Sequence, residues 1–150
     1  MIRITRINNA DKSYDEVWAI VRSLKSRSDW IKQVTDLSPS PELFSTYRTL
    51  VNTNSWDINS YRNLYVSRFI LDLQTNPTAR EKLAYLYDQD RLGKKICLVC
   101  FCPDEEMCHR SIIGGILQGS GCNVVMDTDR DYSHYFKMYM GDDYCRCFTP

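Results

Sequence analysis

The 150-residue chain carries 19 basic and 19 acidic side chains, so its formal charge at neutral pH is zero and no long-range field draws it to a polyanion. Nonspecific nucleic-acid binding and attachment to an anionic membrane surface are thereby excluded as its main task, and no apolar run approaches the roughly 18 residues of a membrane span. Hydrophobic residues at 43% and charged residues at 25% are ordinary globular composition, and the length suits a single α/β domain over residues 1–150.

In chain order, Ile2, Ile4 and Ile7, separated by Arg3, Thr5 and Arg6, make a first strand with partial alternation. Ser13-Tyr14-Asp15-Glu16 has capping-box spacing, and Tyr14, Val17, Trp18, Val21 and Leu24 behind it fall at helical intervals, so an amphipathic helix is predicted there. Trp30 to Leu37 fits either a short strand or a turn. Ser40 is a suitable cap and Pro41 a suitable first residue for a helix with Leu43, Phe44, Tyr47, Leu50 and Val51 facing inward. A third helix runs from Ile58 to Leu73 behind the cap Asp57, and a fourth starts at Asn76-Pro77 and stops at Gly93. Three helices in succession before the next strand exceed a minimal crossover, so part of them is expected as a helical insertion covering one edge of the sheet or the site.

The stretch from Lys94 to Asp127 organises the rest. Ile96 to Phe101 is an unbroken apolar run, the pattern of a strand buried on both faces. A polar turn follows, Pro103 to Glu106, and Cys108-His109-Arg110 leads into a helix whose stripe is Ile112, Ile113, Ile116 and Leu117, stopped by Gly119 and Gly121. Asn123 to Asp127 is again β-rich. Strand, helix, strand reads as a parallel unit with polar chemistry at the carboxyl end of its first strand, where open α/β sheets bind ligands. Beyond it, Tyr132, Tyr135, Phe136 and Tyr139 form an aromatic helix or irregular segment that reads as core before it reads as a base-stacking platform, and Cys145 to Phe148 is a candidate edge strand.

Seven cysteines is an odd number, and four of them crowd between Cys97 and Cys108. With no secretory-signal pattern they read as reduced thiols, and a cytoplasmic setting is expected. Cys100, Cys102, Cys108 and His109 are zinc-ligand candidates by residue type, and Cys145 and Cys147 could complete a site. A C-x-C inside a strand lacks the turn of a zinc knuckle, so no metal and no cofactor are expected. Cys102 as a phosphatase-like nucleophile needs an Arg six residues on, where Cys108 stands, and its loop is acidic (Asp104, Glu105, Glu106). Asp127, Asp129 and Asp131 open like a calcium loop, but Tyr132 and Met138 occupy the positions that require Gly and Glu. Arg110 is free in this reading to grip an anion or to pair with Glu105 or Glu106.

Leu98-Val99-Cys100-Phe101-Cys102, followed by Cys108-His109-Arg110 and an apolar helix, resembles the hallmark of the domain of unknown function 488 family, and Leu37-Ser38-Pro39-Ser40, Glu42-Leu43 and Tyr47 resemble its middle segment. The likeness covers Ile2 to about Asp127. It implies a small three-layer α/β fold and a site around Cys100, Cys108, His109 and Arg110, and it brings no assigned reaction.

The expectation is therefore a small, mostly parallel, Rossmann-like sheet flanked by helices, with the site at the carboxyl edge of the Ile96 strand. The expected ligand is small and anionic, a nucleotide or another phosphorylated metabolite, bound with or without turnover. Arg110, Ser111 and the helix amides would hold the anion, His109 would donate a hydrogen bond or shuttle a proton, and Arg3 or Arg6 would add a second positive contact. Two alternatives stay open. One is a thiol- or His-dependent enzyme using Cys102, Cys108 or His109 on a nucleotide-like substrate; the other is an interaction module whose helical face and aromatic tail meet a second copy or a protein partner.

Overall fold

The computed structural model describes residues 1–25 and 28–141. Its central strand is β4 (Ile96–Cys100), and all five of its residues are buried. β1 (Ile2–Arg6) pairs with it in parallel on one side, Ile4 against Leu98, and β2 (Glu16–Ala19) on the other, Trp18 against Leu98. β3 (Ile31–Gln33) and β5 (Val124–Val125) extend the two edges, giving five parallel strands in the order β3-β2-β4-β1-β5. Helices flank this sheet in the expected three-layer α/β arrangement.

β2 corrects the sequence reading, which placed a helix over this stretch. Val17, Trp18, Ala19, Ile20 and Val21 are five successive buried residues. A strand held between two neighbours and covered on both faces carries a continuous apolar run, and such a run meets helical spacing as readily as any other. Ser13 caps no helix; its N–H and hydroxyl both donate to Asp11 Oδ1, at 2.9 and 2.7 Å, in the turn before β2. Trp30 to Leu37 resolves into β3 and a 3₁₀ turn over Thr35–Leu37.

The remaining helices start where side-chain chemistry places them. Ser40 Oγ accepts the Leu43 N–H at 3.2 Å and opens α1 (Pro41–Asn52). Its buried stripe is narrower than expected: Leu43 is buried, but Phe44 and Val51 are 37% and 45% exposed. Asp57 and Ser60 form a reciprocal capping box for α2 (Ile58–Ser60), which widens through a π turn (Tyr61–Tyr65) into α3 (Val66–Thr75). Asn76 caps α4 (Pro77–Arg91), after which Gly93 takes φ +79°. α4 packs on the sheet through Tyr85, whose ring stacks on Trp18 at 5.6 Å. Together α1 to α4 are the expected helical insertion, and they lie between β3 and β4 in sequence.

α5 (His109–Gly119) leads from β4 to β5, which pairs with β1. Against it lies α6 (His134–Met140), admitted because a Cβ at Gly115 would fall on the Tyr132 carbonyl oxygen and one at Gly119 on Phe136. Tyr132 and Tyr135 are buried in this contact, as the core reading of the aromatic segment requires. The edge strand expected over Cys145 to Phe148 lies outside the described residues. No helix among the described residues is long and apolar enough to cross a membrane.

Candidate functional site

Three thiols meet where β4 ends and α5 begins. Alternation along the strand turns Cys100 toward the start of α5, and there its sulfur lies 3.3 Å from that of Cys108. Cys102, two residues beyond, is half-buried and close enough to the Asp104 carbonyl, at 3.5 Å, to be held in the turn. Among the described residues these thiols and those of Cys97 and Cys122 are free. The hydrogen bond from Cys108, aided by the Arg110 guanidinium, pulls the Cys100 thiol down to about 5 against burial. Cys108 likewise lowers Cys102 to about 7, helped by the Asp104 backbone and Arg110. Burial first, then the same hydrogen bonds, pushes Cys108 well up. The single Cys108 S–H serves one neighbour at a time, so the cluster places negative charge on Cys100 first and keeps the proton on Cys108.

His109 and Arg110 are turned inward by the first turn of α5 and are 8% and 1% exposed. His109 Nε2 lies 2.7 Å from the Ile20 carbonyl. A carbonyl only accepts, so Nε2 carries the hydrogen and Nδ1, 3.6 Å from Cys108 Sγ, faces the thiol. Arg110 Nη1 donates to the Cys102 carbonyl and, at 3.4 Å, to Cys100 Sγ, while Nη2 stands 3.8 Å from Asp127 Oδ2. Its Nε is buried without a partner. The guanidinium thus sits behind the thiols and braces them. Ser111 is buried too, its hydroxyl donating to the Cys108 carbonyl at 2.8 Å and lying 3.0 Å from the Tyr61 hydroxyl.

Glu105 and Glu106 are not the partners of Arg110. Glu105, 5% exposed, accepts from the Asp127 N–H at 2.8 Å, from the Thr128 N–H and hydroxyl, and from the Tyr132 hydroxyl at 2.8 Å. Glu106 pairs with Arg130 at 2.8 Å and Arg62 at 3.7 Å. The acidic turn thus fastens the chain after β5 instead of facing an anion. Asp127, the first carboxylate of the failed calcium-loop pattern, is the one that reaches Arg110, and it also accepts from Thr5 Oγ1 at 2.9 Å.

In front of the thiols opens a cleft of about 930 Å³. Cys100, Cys102, Cys108 and His109 line it together with the aromatic rings of Phe44, Tyr47, Trp56 and Tyr65, and Arg22 and Lys25 bring two exposed cations to its rim. No carboxylate is among the described residues that line it. Tyr47 and Trp56 meet edge to face at 4.7 Å, which stiffens the aromatic lining. Arg110, Ser111, Arg3 and Arg6 do not line the cleft, so of the sequence-nominated residues the structure brings together Cys100, Cys102, Cys108 and His109 around it and places Arg110 and Ser111 in its foundation. Arg3 and Arg6 lie on β1 in register with Cys97 and Cys100. The rim cations and the aromatic lining were missed. Their signal was present: Arg22 and Lys25 directly follow the apolar run Val17–Val21, and reading that run as a strand would have set them at the carboxyl edge of the sheet.

No group of three or more His, Cys, Asp or Glu side chains among the described residues is arranged to hold a metal ion, and Cys145 and Cys147, weighed as additional ligands, lie outside those residues. A family model described as the active DUF488-N3 subclade matches residues 2–121. No curated protein and no solved structure matches the chain.

Proposed function

This chain belongs to the domain of unknown function 488 family, in its active DUF488-N3 subclade, and we propose that it binds a small anionic ligand with a flat ring system, a nucleotide or a similar phosphorylated metabolite, at the carboxyl edge of its sheet. The observation that carries this reading is the cleft itself, large enough for such a ligand, with Arg22 and Lys25 on its rim, aromatic rings on its wall and no carboxylate in its described lining. Support also comes from α5, whose cap residue Cys108 makes no side-chain hydrogen bond to the first helical amides.

Calorimetric titration with nucleoside monophosphates, the corresponding nucleosides and inorganic phosphate tests the reading. Saturable nucleotide binding should weaken by about tenfold or more when Arg22→Ala and Lys25→Ala are combined, since charged hydrogen bonds contribute about 1.5 to 3 kcal/mol each, while nucleoside binding should be little changed. Absence of binding by all three probes, or binding indifferent to the double substitution, would remove it. One observation favours a second reading, thiol-dependent turnover of the bound molecule: Cys102 lines the cleft with its thiol lowered to about 7. Cys102→Ser would then retain binding and abolish product formation.

A further inference from the structure

The three thiols do more than line a ligand site. We propose that Cys100 and Cys108 form a buried redox dithiol that closes to a disulfide, and that Cys102, on the cleft, is the thiol through which an oxidant reaches it. The inference stands whether or not the cleft accepts a nucleotide.

Buried cysteine ordinarily serves as a small apolar residue, but packing alone does not account for what surrounds these. The Cys100 and Cys108 sulfurs are 3.3 Å apart, and their residues are 1% and 3% exposed. A buried guanidinium donates to Cys100 from 3.4 Å, and an imidazole nitrogen faces Cys108 from 3.6 Å. The first stabilises a thiolate as it leaves or attacks; the second accepts a proton from the thiol that must ionise. Cys102 is the half-buried member and lines the cleft.

The oxidant class is a low-molecular-weight disulfide, RSSR, and an anionic one suits Arg22 and Lys25 on the rim. The Cys102 thiolate attacks one sulfur, forming Cys102–S–S–R and releasing RS⁻. Cys108, giving its proton to His109 Nδ1, attacks Cys102 Sγ and expels the second RS⁻. The Cys100 thiolate then attacks Cys108 Sγ, forming the Cys100–Cys108 bond and returning Cys102 as a thiolate. The two released thiolates take up two protons, so RSSR and two protein thiols become one protein disulfide and two RSH; the dithiol is oxidised by two electrons and RSSR is reduced.

The probe is 5,5′-dithiobis(2-nitrobenzoate), an aromatic, anionic disulfide whose leaving thiolate is coloured, with adducts and bridges assigned by peptide mapping after an acid quench. Cleavage after Phe101 and after Glu105 or Glu106 puts Cys100, Cys102 and Cys108 on three peptides, so the pair that stays linked identifies the bridge. The expected result is a fast phase releasing two thiolates per chain, ending in a Cys100–Cys108 bridge with Cys102 unmodified. Cys102→Ser should slow that phase about tenfold or more, as the accessible thiolate is lost. Cys108→Ala should stop after one thiolate with the adduct on Cys102. An adduct that persists on Cys102 in the unsubstituted chain, a fast phase that maps to other cysteines, or a final Cys102–Cys108 bridge overturns the proposal. Should the Cys108→Ala chain fail to fold, the map of the unsubstituted chain decides alone.

Discussion

The Arg110 guanidinium stands 3.8 Å from the Asp127 carboxylate and joins the first turn of α5 to the chain leaving β5. Asp127 is also bound by Thr5 Oγ1 at 2.9 Å, and Thr5 accepts from Asn9 Nδ2 at 3.1 Å. Three separate segments, the start of α5, the chain after β5 and the end of β1 with the turn that follows it, therefore meet at one ion pair at the carboxyl end of the sheet. Because Arg110 is 1% exposed and also holds the Cys102 carbonyl, its loss is first a loss of structure. Arg110→Ala should lower unfolding free energy by about 2 to 4 kcal/mol, leaving a buried carbonyl and a carboxylate without their partner. Arg110→Lys should recover only part, since an ammonium cannot serve Cys100, Cys102 and Asp127 together. Urea unfolding measures both; an unchanged midpoint for Arg110→Ala would mean that the guanidinium is dispensable to the fold.

Glu105 makes a comparable demand of its neighbours. Its two oxygens accept only, and every group aimed at them is a donor: two N–H groups and the hydroxyls of Thr128 and Tyr132. Glu105→Gln preserves shape but turns an amide NH₂ toward those donors, and a cost on the order of 2 kcal/mol is expected. Amide exchange over residues 127–132 should accelerate more than exchange in β4. Tyr132→Phe, which removes one donor, should cost about 1 kcal/mol.

Gly115 tests the contact between α5 and α6. A Cβ there would fall on the Tyr132 carbonyl oxygen, which is backbone and has no rotamer through which to yield. Gly115→Ala should therefore destabilise by at least the roughly 1 to 3 kcal/mol typical of overpacking, although Ala is the better helix former. Gly93→Ala makes a useful contrast: space is open around Gly93, but its φ of +79° disfavours any side chain, so about 1 kcal/mol of backbone strain is expected. Equal melting temperatures for Gly115→Ala and the unsubstituted chain would show that α6 can shift without penalty.

How much of this was legible in the sequence follows from how local each interaction is. Ser40-Pro41, Asp57 and Asn76-Pro77 announce helix starts because a cap bonds only two or three residues away. Cys100, Cys108 and His109 could be grouped because one β-to-α turn contains them. Val17–Val21 was misread because its partner β4 lies far along the chain, and double-sided burial between β4 and β3 erases the alternation that marks a strand. The same long-range parallel pairing brings Arg22 and Lys25 to the cleft and Asp127 to Arg110. Once Val17–Val21 is read as a strand the two cations follow from it, but nothing in the local spacing around Asp127 records its meeting with Arg110, and so Arg110 looked available for a ligand.

The last prediction concerns pH. Cys102 ionises at about 7 and Cys100 at about 5, against an ordinary value of 9.0. Alkylation of Cys102 by iodoacetamide, resolved by peptide mapping, should follow a titration centred near pH 7, because the thiolate is the reacting form. Removing the Cys108 hydrogen bond by Cys108→Ala should move that midpoint upward, as should Arg110→Ala to a smaller degree. The effect on stability has a definite sign. A thiol whose folded value lies below its unfolded value binds fewer protons when folded, so its contribution is complete above about pH 9 and disappears as pH falls toward 5. Cys108, raised by burial first and then by the same contacts, acts oppositely and loses its contribution as pH rises beyond 9. Between pH 5 and pH 8 the Cys100 effect governs: the stability difference between the unsubstituted chain and Cys100→Ser should widen steadily with pH. A difference that stays constant over that range, with Cys102 alkylation centred near pH 9, would show that the guanidinium and the neighbouring thiol do not hold a thiolate here.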